Sequence, residues 1–436
     1  MRIAVSGLWH LGCVTAACLA EHDDVIAHDP DPELIAKLSA GIPPIHEPGL
    51  TQLIEAGIAS GRLRFSSQPD AVATADVVWI AYDTPVDAAD RADVEFVFAN
   101  TVALLPSLKS GTLVVVSAQV PVGFTARLEE HARRSGLRVD FAYVPENLRL
   151  GQALDVFRNP DRVVAGVRSE GDKSRIAALM RAFTQNIVWM SPESAEMTKH
   201  ALNGFLATSV TFINEIAGIC EVTGADVKDV ERGLRSDQRI GALAYLTAGD
   251  GFAGGTLARD VYALVAAATA GNTPHAVLDG VLATNHLQQR WTERILEREL
   301  GELAGTRIAI LGLTYKPGTD TLRRSSAVEL AARLHARRSE VRAFDPAVHA
   351  LPPELATSFE LTNSIHDALR DADALVIGTP WPQFQDLRPK DFRMMRQRIV
   401  IDPKRHLETQ LRGIRNVRYF GVGLAEDRSS GTHEDM

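Results

Sequence analysis

The opening segment limits the fold of this chain more than any other feature. Residues 2–6 (RIAVS) form a short apolar run, Gly7 follows at once, and an apolar helical pattern runs from Gly12 to His22. A second strand-like run, 24–28 (DVIAH), ends at Asp29, 17 residues beyond Gly12. Further strand-like runs cover 77–82 (VVWIAY), 113–117 (LVVVS), 140–144 (DFAYV) and 162–166 (RVVAG), with helical segments between most of them. Strands that alternate with helices predict a parallel sheet covered on both faces.

From about Ser194 to Val222 the pattern becomes one long stretch with helical spacing and no proline, and Gly224 is its expected stop. A helix of roughly 30 residues spans about 45 Å, which suits a strut or a dimer core. Near Arg307 a second α/β pattern begins, with strands expected at 307–313, 340–345, 374–379 and 399–402. The expected fold class is α/β: two Rossmann-like doubly wound domains joined by a long central helix and a helical middle domain. The expected boundaries are 1–190, 191–300 and 301–436. The polar tail after Ala425 is expected to fray.

Length and composition exclude several classes. A chain of 436 residues needs two or three cores. With 46 Lys and Arg against 55 Asp and Glu, the net charge of −9 argues against a scaffold that neutralises nucleic-acid phosphates. Cys13, Cys18 and Cys220 are too few and too scattered for a disulfide framework or a zinc site. No run of 18 apolar residues and no signal peptide are read, so the expectation is a reducing cytoplasm with no membrane partner and no metal.

Gly7-Leu-Trp-His-Leu-Gly12 stands where a glycine-rich dinucleotide turn belongs, between the first strand and the first helix. The pyrophosphate would rest on the helix N-terminus. Asp29 would accept hydrogen bonds from the adenosine ribose, which favours NAD over NADP. Trp9 takes the place of the middle glycine, which normally lets the backbone approach the pyrophosphate.

At this point the chain resembles the UDP-glucose/GDP-mannose dehydrogenase family, NAD-dependent enzymes that oxidise the C6 alcohol of a nucleotide sugar to a carboxylate. The resemblance runs through GLWHLGCVTAACLA (7–20), GIPPIHEPGL (41–50), Asp83-Thr84-Pro85, VPVGFT (120–125), PENLRLGQA (145–153) and NPDRVVAG (159–166). It continues through AEMTKHALNGFLAT (195–208), FINEIAGICEVTGADV (212–227), GFAGGTLARD (251–260) and LGLTYKPGTDTLRRSSA (311–327). It implies an N-terminal NAD domain, a central helix that pairs two subunits into a homodimer, and a C-terminal domain for the nucleotide diphosphate.

Residue by residue, the resemblance makes Glu146 the group that handles protons or orders a water. Lys199 and Asn203, four apart on one helix side, would meet the alcohol and the developing oxyanion. Asp260 is kept, but Thr256 stands where the family has its nucleophilic cysteine, and a threonine hydroxyl is a poor nucleophile without a base. Gly255, Arg259 and Gln119 are further departures around the chemistry. Gly7, Trp9, Leu11, Gly12, Asp29, Thr84, Gln119, Glu146, Arg259 and Arg323 are implied for the cofactor. Leu148, Lys199, Asn203, Arg239, Tyr245, Gly251, Lys316 and Lys404 are implied for the nucleotide sugar, with Arg239 reaching the neighbouring subunit's substrate and Lys404 replacing a family arginine.

The retained groups beside the altered ones favour an NAD-linked oxidoreductase that works without a thiohemiacetal. Two other readings stay open here: a redox-neutral, epimerase-like enzyme that keeps its NAD, and a non-catalytic nucleotide-sugar binder.

Overall fold

The structure, a computed structural model, describes residues 1–85, 92–253, 256–412 and 414–425. It divides into two compact units after Leu202. The first unit is built on an eight-stranded sheet: β1 (Arg2–Ser6), β2 (Asp24–His28), β3 (Leu63–Ser66), β4 (Val77–Ile80), β5 (Leu113–Val116), β6 (Asp140–Tyr143), β7 (Val163–Gly166) and β8 (Ile187–Met190). Its strand order is β3-β2-β1-β4-β5-β6-β7-β8. All neighbours run parallel except β6 and β7, which meet antiparallel at Tyr143 and Gly166. The purely parallel sheet expected from sequence is therefore a mixed one, because β7 enters from the opposite side after the helix Ala153–Arg158.

Alternate residues of each strand enter separate cores. Ile3, Val5 and Trp79 pack on one face, and Ala4, Val78 and Ile80 pack on the other. That alternation is why these strands are short apolar runs bounded by polar turns. The strands β4, β5 and β6 end one or two residues before their apolar runs do. Ala81 and Val144 still donate to Ser6 and Val116, and then the chain leaves the ladder to form the loops of the site.

The second unit carries a six-stranded, all-parallel sheet: β9 (Arg307–Leu311), β10 (Glu340–Phe344), β11 (Glu360–Leu361), β12 (Ala374–Ile377), β13 (Ile399–Ile401) and β14 (Arg418–Phe420). The order is β11-β10-β9-β12-β13-β14. One face shares its core with the helical segments that precede it, where Ile213, Ala217, Trp291 and Leu296 join Ile308, Ile310 and Val376.

The long helix spans Pro192–Thr223, slightly longer at each end than expected. Pro192 opens it, where a missing N–H costs nothing. Gly224 closes it at φ +85°, with its N–H donated to Cys220 O. By length and composition this helix could cross a bilayer. Polar residues interrupt its apolar stretches, so no unbroken apolar run marks it in the sequence. Its early turns behave as protein interior: Glu196 is fully buried and accepts from Gly123 N, Thr125 N and Thr125 Oγ1 at 2.6–2.8 Å.

Arg405, whose side chain is 3% exposed, ties the second unit together by donating to Asp226 at 2.5 and 2.7 Å and to Glu408 at 2.6 and 3.0 Å. The guanidinium holds the Asp226 carboxyl down to about 2. Burial pushes Glu408 upward, but its bonds to Arg405 and Lys228 outweigh that and leave it also at about 2. Replacing Arg405 with Met is expected to cost about 1.5–3 kcal/mol, because it removes the charged donor closest to Asp226 and leaves Glu408 with Lys228 and Arg412. Both pKa values lie below their unfolded values near 4. The deficit should therefore be complete above about pH 4 and should shrink as pH falls toward about 2. Urea unfolding of both proteins across that range checks this; a deficit that does not change with pH would contradict it.

Candidate active site

The strand order of the first sheet reverses between β1 and β4, and the crevice outside their carboxyl ends is where an open α/β sheet takes its ligand. Gly7 turns there at φ +94°, and a Cβ on it would lie 2.6 Å from Tyr82 N. A Cβ on Gly12 would lie 1.8 Å from Gly7 O, so the helix His10–Leu19 can start against the turn only with glycine at that position. Trp9 has φ −89°, so a side chain is tolerated where the glycine fingerprint is broken, and its ring is 41% exposed. No side chain caps this helix, which leaves its first N–H groups directed at the place of an anion.

Asp29 accepts from Leu8 N at 2.8 Å and from Asp31 N at 3.1 Å. Each oxygen keeps a lone pair, and the half-buried carboxylate stands where a ribose would sit. Thr84 Oγ1 donates to Gln119 O at 2.7 Å, which joins the loops after β4 and β5. These residues fit a dinucleotide: glycine cradle, uncapped helix and acidic side chain are all present.

Two pairs of implied catalytic residues are in contact. Lys199, 6% exposed, donates to Glu146 O at 2.5 Å and lies 3.9 Å from Glu146 Oε1. Glu146 Oε2 accepts from Leu148 N at 2.7 Å. One turn further along the helix, Asn203 donates its amide to the fully buried Asp260.

Sequence reasoning missed Glu47. This buried carboxylate lies 2.8 Å from His10 Nε2 and accepts from Gly151 N and Ala153 N at 2.7 and 2.9 Å. It fastens the loop that carries Glu146 to the start of the cofactor helix. The available signal was its place in the matched segment GIPPIHEPGL.

Thr256 is exposed and immediately precedes the helix Leu257–Ala270. Among the described residues its hydroxyl makes no hydrogen bond. Gly255 lies outside the described residues. Arg259 is half-buried in the first turn of that helix. Cys13, Cys18 and Cys220 are all buried free thiols. Burial pushes Cys13 and Cys18 up to about 12 and raises Cys220 as well.

Gly251 packs where a Cβ would meet Asn285 Oδ1 at 2.7 Å. Asn285 holds Phe252 through both its N–H and its carbonyl, at 2.8 and 2.9 Å, a clamp that spacing alone did not reveal. Arg239 is 90% exposed and paired with Asp237 at 2.7 Å, and Tyr245 is also exposed. Arg323 and Lys404 are exposed, and Lys316 is half-buried in the loop after β9.

That loop repeats the first turn's geometry. Gly312 has φ +89°, and a Cβ on it would lie 2.2 Å from Thr379 O. The matching carboxylate, Asp345, is 2% exposed and already accepts from Leu313 N, Thr314 N, Ala347 N and Trp381 Nε1. The two turns are alike, but only the first keeps an acidic group with room for a ribose.

Comparison with known proteins agrees with this geometry. Residues 1–184 match the NAD binding domain of the UDP-glucose/GDP-mannose dehydrogenase family, 193–287 its central domain and 309–409 its UDP binding domain. The chain is 36% identical to a UDP-glucose 6-dehydrogenase of Rhizobium meliloti, over 89% of this chain and 91% of that one. It is 38% identical to one of Pseudomonas aeruginosa, over 91% and 90%. A solved UDP-glucose dehydrogenase from Pyrobaculum islandicum superposes with a TM-score of 0.88 at 32% identity, covering 97% of this chain and 98% of that one. The chain belongs to the UDP-glucose/GDP-mannose dehydrogenase family of NAD-dependent nucleotide-sugar oxidoreductases.

Proposed function

We propose that this protein oxidises an alcohol of a UDP-sugar with NAD as hydride acceptor, and that it does so without a covalent thiol intermediate. The observation that carries the reading is the contrast between the buried Lys199, fixed on the Glu146 backbone carbonyl, with the buried Asn203–Asp260 pair, and an exposed Thr256 whose hydroxyl makes no hydrogen bond among the described residues. The relatives' names, UDP-glucose 6-dehydrogenase, support UDP-glucose as the first substrate to test.

NAD, when bound, supplies the hydride acceptor. The chain's own groups do the rest. The Lys199 ammonium and the Asn203 amide face the alcohol oxygen and stabilise the negative charge that grows as its proton leaves. Asp260 orients the Asn203 amide and, with an ordered water, helps accept that proton. Glu146 handles protons at the carbonyl stage. The first oxidation needs no thiol, so only the second is slowed.

Residues 1–190 would hold NAD, 191–300 would join two copies, and 301–436 would hold the nucleotide diphosphate through Lys316 and Lys404, with Arg323 facing the NAD pyrophosphate. Leu11, Thr84, Gln119 and Arg259 complete the proposed cofactor contacts. Leu148, Tyr245 and Gly251 complete those to substrate, and Arg239, held outward, is available to a neighbouring subunit's site. Three buried thiols with no disulfide suit a reducing cytoplasm.

NADH counted per sugar consumed, over a panel of nucleotide sugars, tests the central claim. One NADH, or a slow approach to two, is expected; two formed rapidly would contradict it. No NADH with an isomerised sugar would point to a redox-neutral enzyme, and no turnover of any sugar to a binder. Thiol alkylation should leave the rate unchanged, and Thr256→Cys should increase acid formation.

NAD should bind more tightly than NADP, because the Asp29 carboxylate repels a 2′-phosphate. Calorimetry with both cofactors checks this, and tighter NADP binding would overturn it.

The dimer proposal rests on Phe205, Phe212 and Ile219, spaced seven apart on the long helix and 47–70% exposed. Light scattering should give a dimer at micromolar concentration and a monomer for Phe212→Asp. A monomeric wild type would end this reading.

A further inference from the structure

Behind Glu146, two polar groups stand out in an otherwise apolar layer. Thr15, in the middle of the cofactor helix, is fully buried, and Trp79 of β4 is 3% exposed. Among the described residues neither Thr15 Oγ1 nor Trp79 Nε1 has a hydrogen-bond partner. Several helical threonines solve this problem locally, since Thr101, Thr208 and Thr223 each donate to the carbonyl four residues back, although Thr211 does not. Neither does Thr15. An unpaired buried hydroxyl or indole N–H costs about 1–3 kcal/mol, so two on one cavity call for a shared partner.

Both residues line a single, partly open cavity of about 70 Å³ whose wall also includes Glu146, Ser117, Asn147 and Arg162. Ser117 already donates to Val144 O, so it is satisfied without a ligand. A buried water needs roughly 10–15 Å³ of such space and two to four polar partners. The cavity therefore has room for several, and Trp79 as donor, Thr15 as donor or acceptor and the Glu146 carboxylate as acceptor meet the bonding requirement.

We propose that this cavity is an internal water site, held by Thr15 and Trp79, that delivers water to Glu146 for hydration of the sugar aldehyde. The delivery role rests on the reaction proposed above; the water site itself does not. Glu146 takes one proton as the water oxygen bonds to the aldehyde carbon and returns it to the aldehyde oxygen to complete the gem-diol, leaving the carboxylate as it began. Loss of hydride from that carbon to NAD, with release of one proton, gives the carboxylic acid and NADH. In a chain with no thiol at the nucleophile position, acid formation then depends on this water. Thr15 and Trp79 are positioning residues in this proposal: they act through the water they hold.

Xenon-pressurised crystals of the wild type separate a wet cavity from a dry one. Water density within hydrogen-bond distance of Thr15 Oγ1 and Trp79 Nε1, with no xenon, is expected; xenon in the cavity would overturn the water site. Turnover then tests its role. Supplied with the nucleotide-sugar aldehyde, Thr15→Val should form acid about tenfold more slowly than wild type. Its first NADH from the alcohol should be unchanged. Trp79→Phe should behave alike, and the near-isosteric Thr15→Val serves if the tryptophan variant does not fold. Equal acid rates in wild type and Thr15→Val would refute delivery while leaving the water site standing. If wild type reduces NAD with neither alcohol nor aldehyde yet shows the cavity water, the dehydrogenase reading has failed, and delivery with it.

Discussion

A line of buried polar side chains on the long helix holds the site in register. Glu196, Lys199, His200, Asn203 and Asn214 are each buried, and each is bonded to another segment: to Gly123 and Thr125, to Glu146 O, to Val120 O, to Asp260 and to Gly249 N. Burying such groups is costly unless every one finds its partner, so a rotation or slip of the helix is resisted at several points at once. The spacing of three, four and seven residues puts the first four on one side. A helix that looks like an apolar strut is thereby also the part that orders the reactive loops.

The chemistry follows from what those bonds leave in place. Lys199 is anchored through a backbone carbonyl, so its charge is set before any substrate arrives, and a donor positioned in advance needs no reorganisation when charge develops. Glu47 does the corresponding work from the other side, bracing the Glu146 loop against the cofactor helix. The cysteines add nothing to this machinery: burial among apolar residues keeps Cys13 and Cys18 protonated, the opposite of what a nucleophilic thiol needs.

The repeated turn in the two units shows how one architecture serves two purposes. Gly7 and Gly312 both bring the backbone against the next loop of the sheet, and in both an aspartate at the end of the neighbouring strand fastens the turn. Asp345 is consumed by five donors, including an indole N–H and a hydroxyl, whereas among the described residues Asp29 accepts from two. The difference lies in what surrounds the carboxylate.

The sequence by itself determined the elements whose signals are local. Short β-branched runs between glycine turns marked the strands, Gly7 and Gly12 marked a close approach that only glycine permits, and Gly224 marked the end of the long helix. It also proposed Glu146, Lys199, Asn203 and Asp260 through the motifs around them, and the structure places Lys199 against the Glu146 carbonyl and Asn203 against Asp260. Tertiary structure alone decided the antiparallel entry of β7, the bonding of Glu47 and Asn285, and the unpaired state of Thr15 and Trp79. Each depends on groups tens to hundreds of residues away, and a hydrogen bond between distant residues leaves no periodicity in the chain. Trp9 shows the same limit from the other direction. The residue type marked the loss of the glycine that lets the backbone approach the pyrophosphate, and the backbone there adopts φ −89°, an angle any side chain accepts, so the helix N-terminus keeps its place beside the turn.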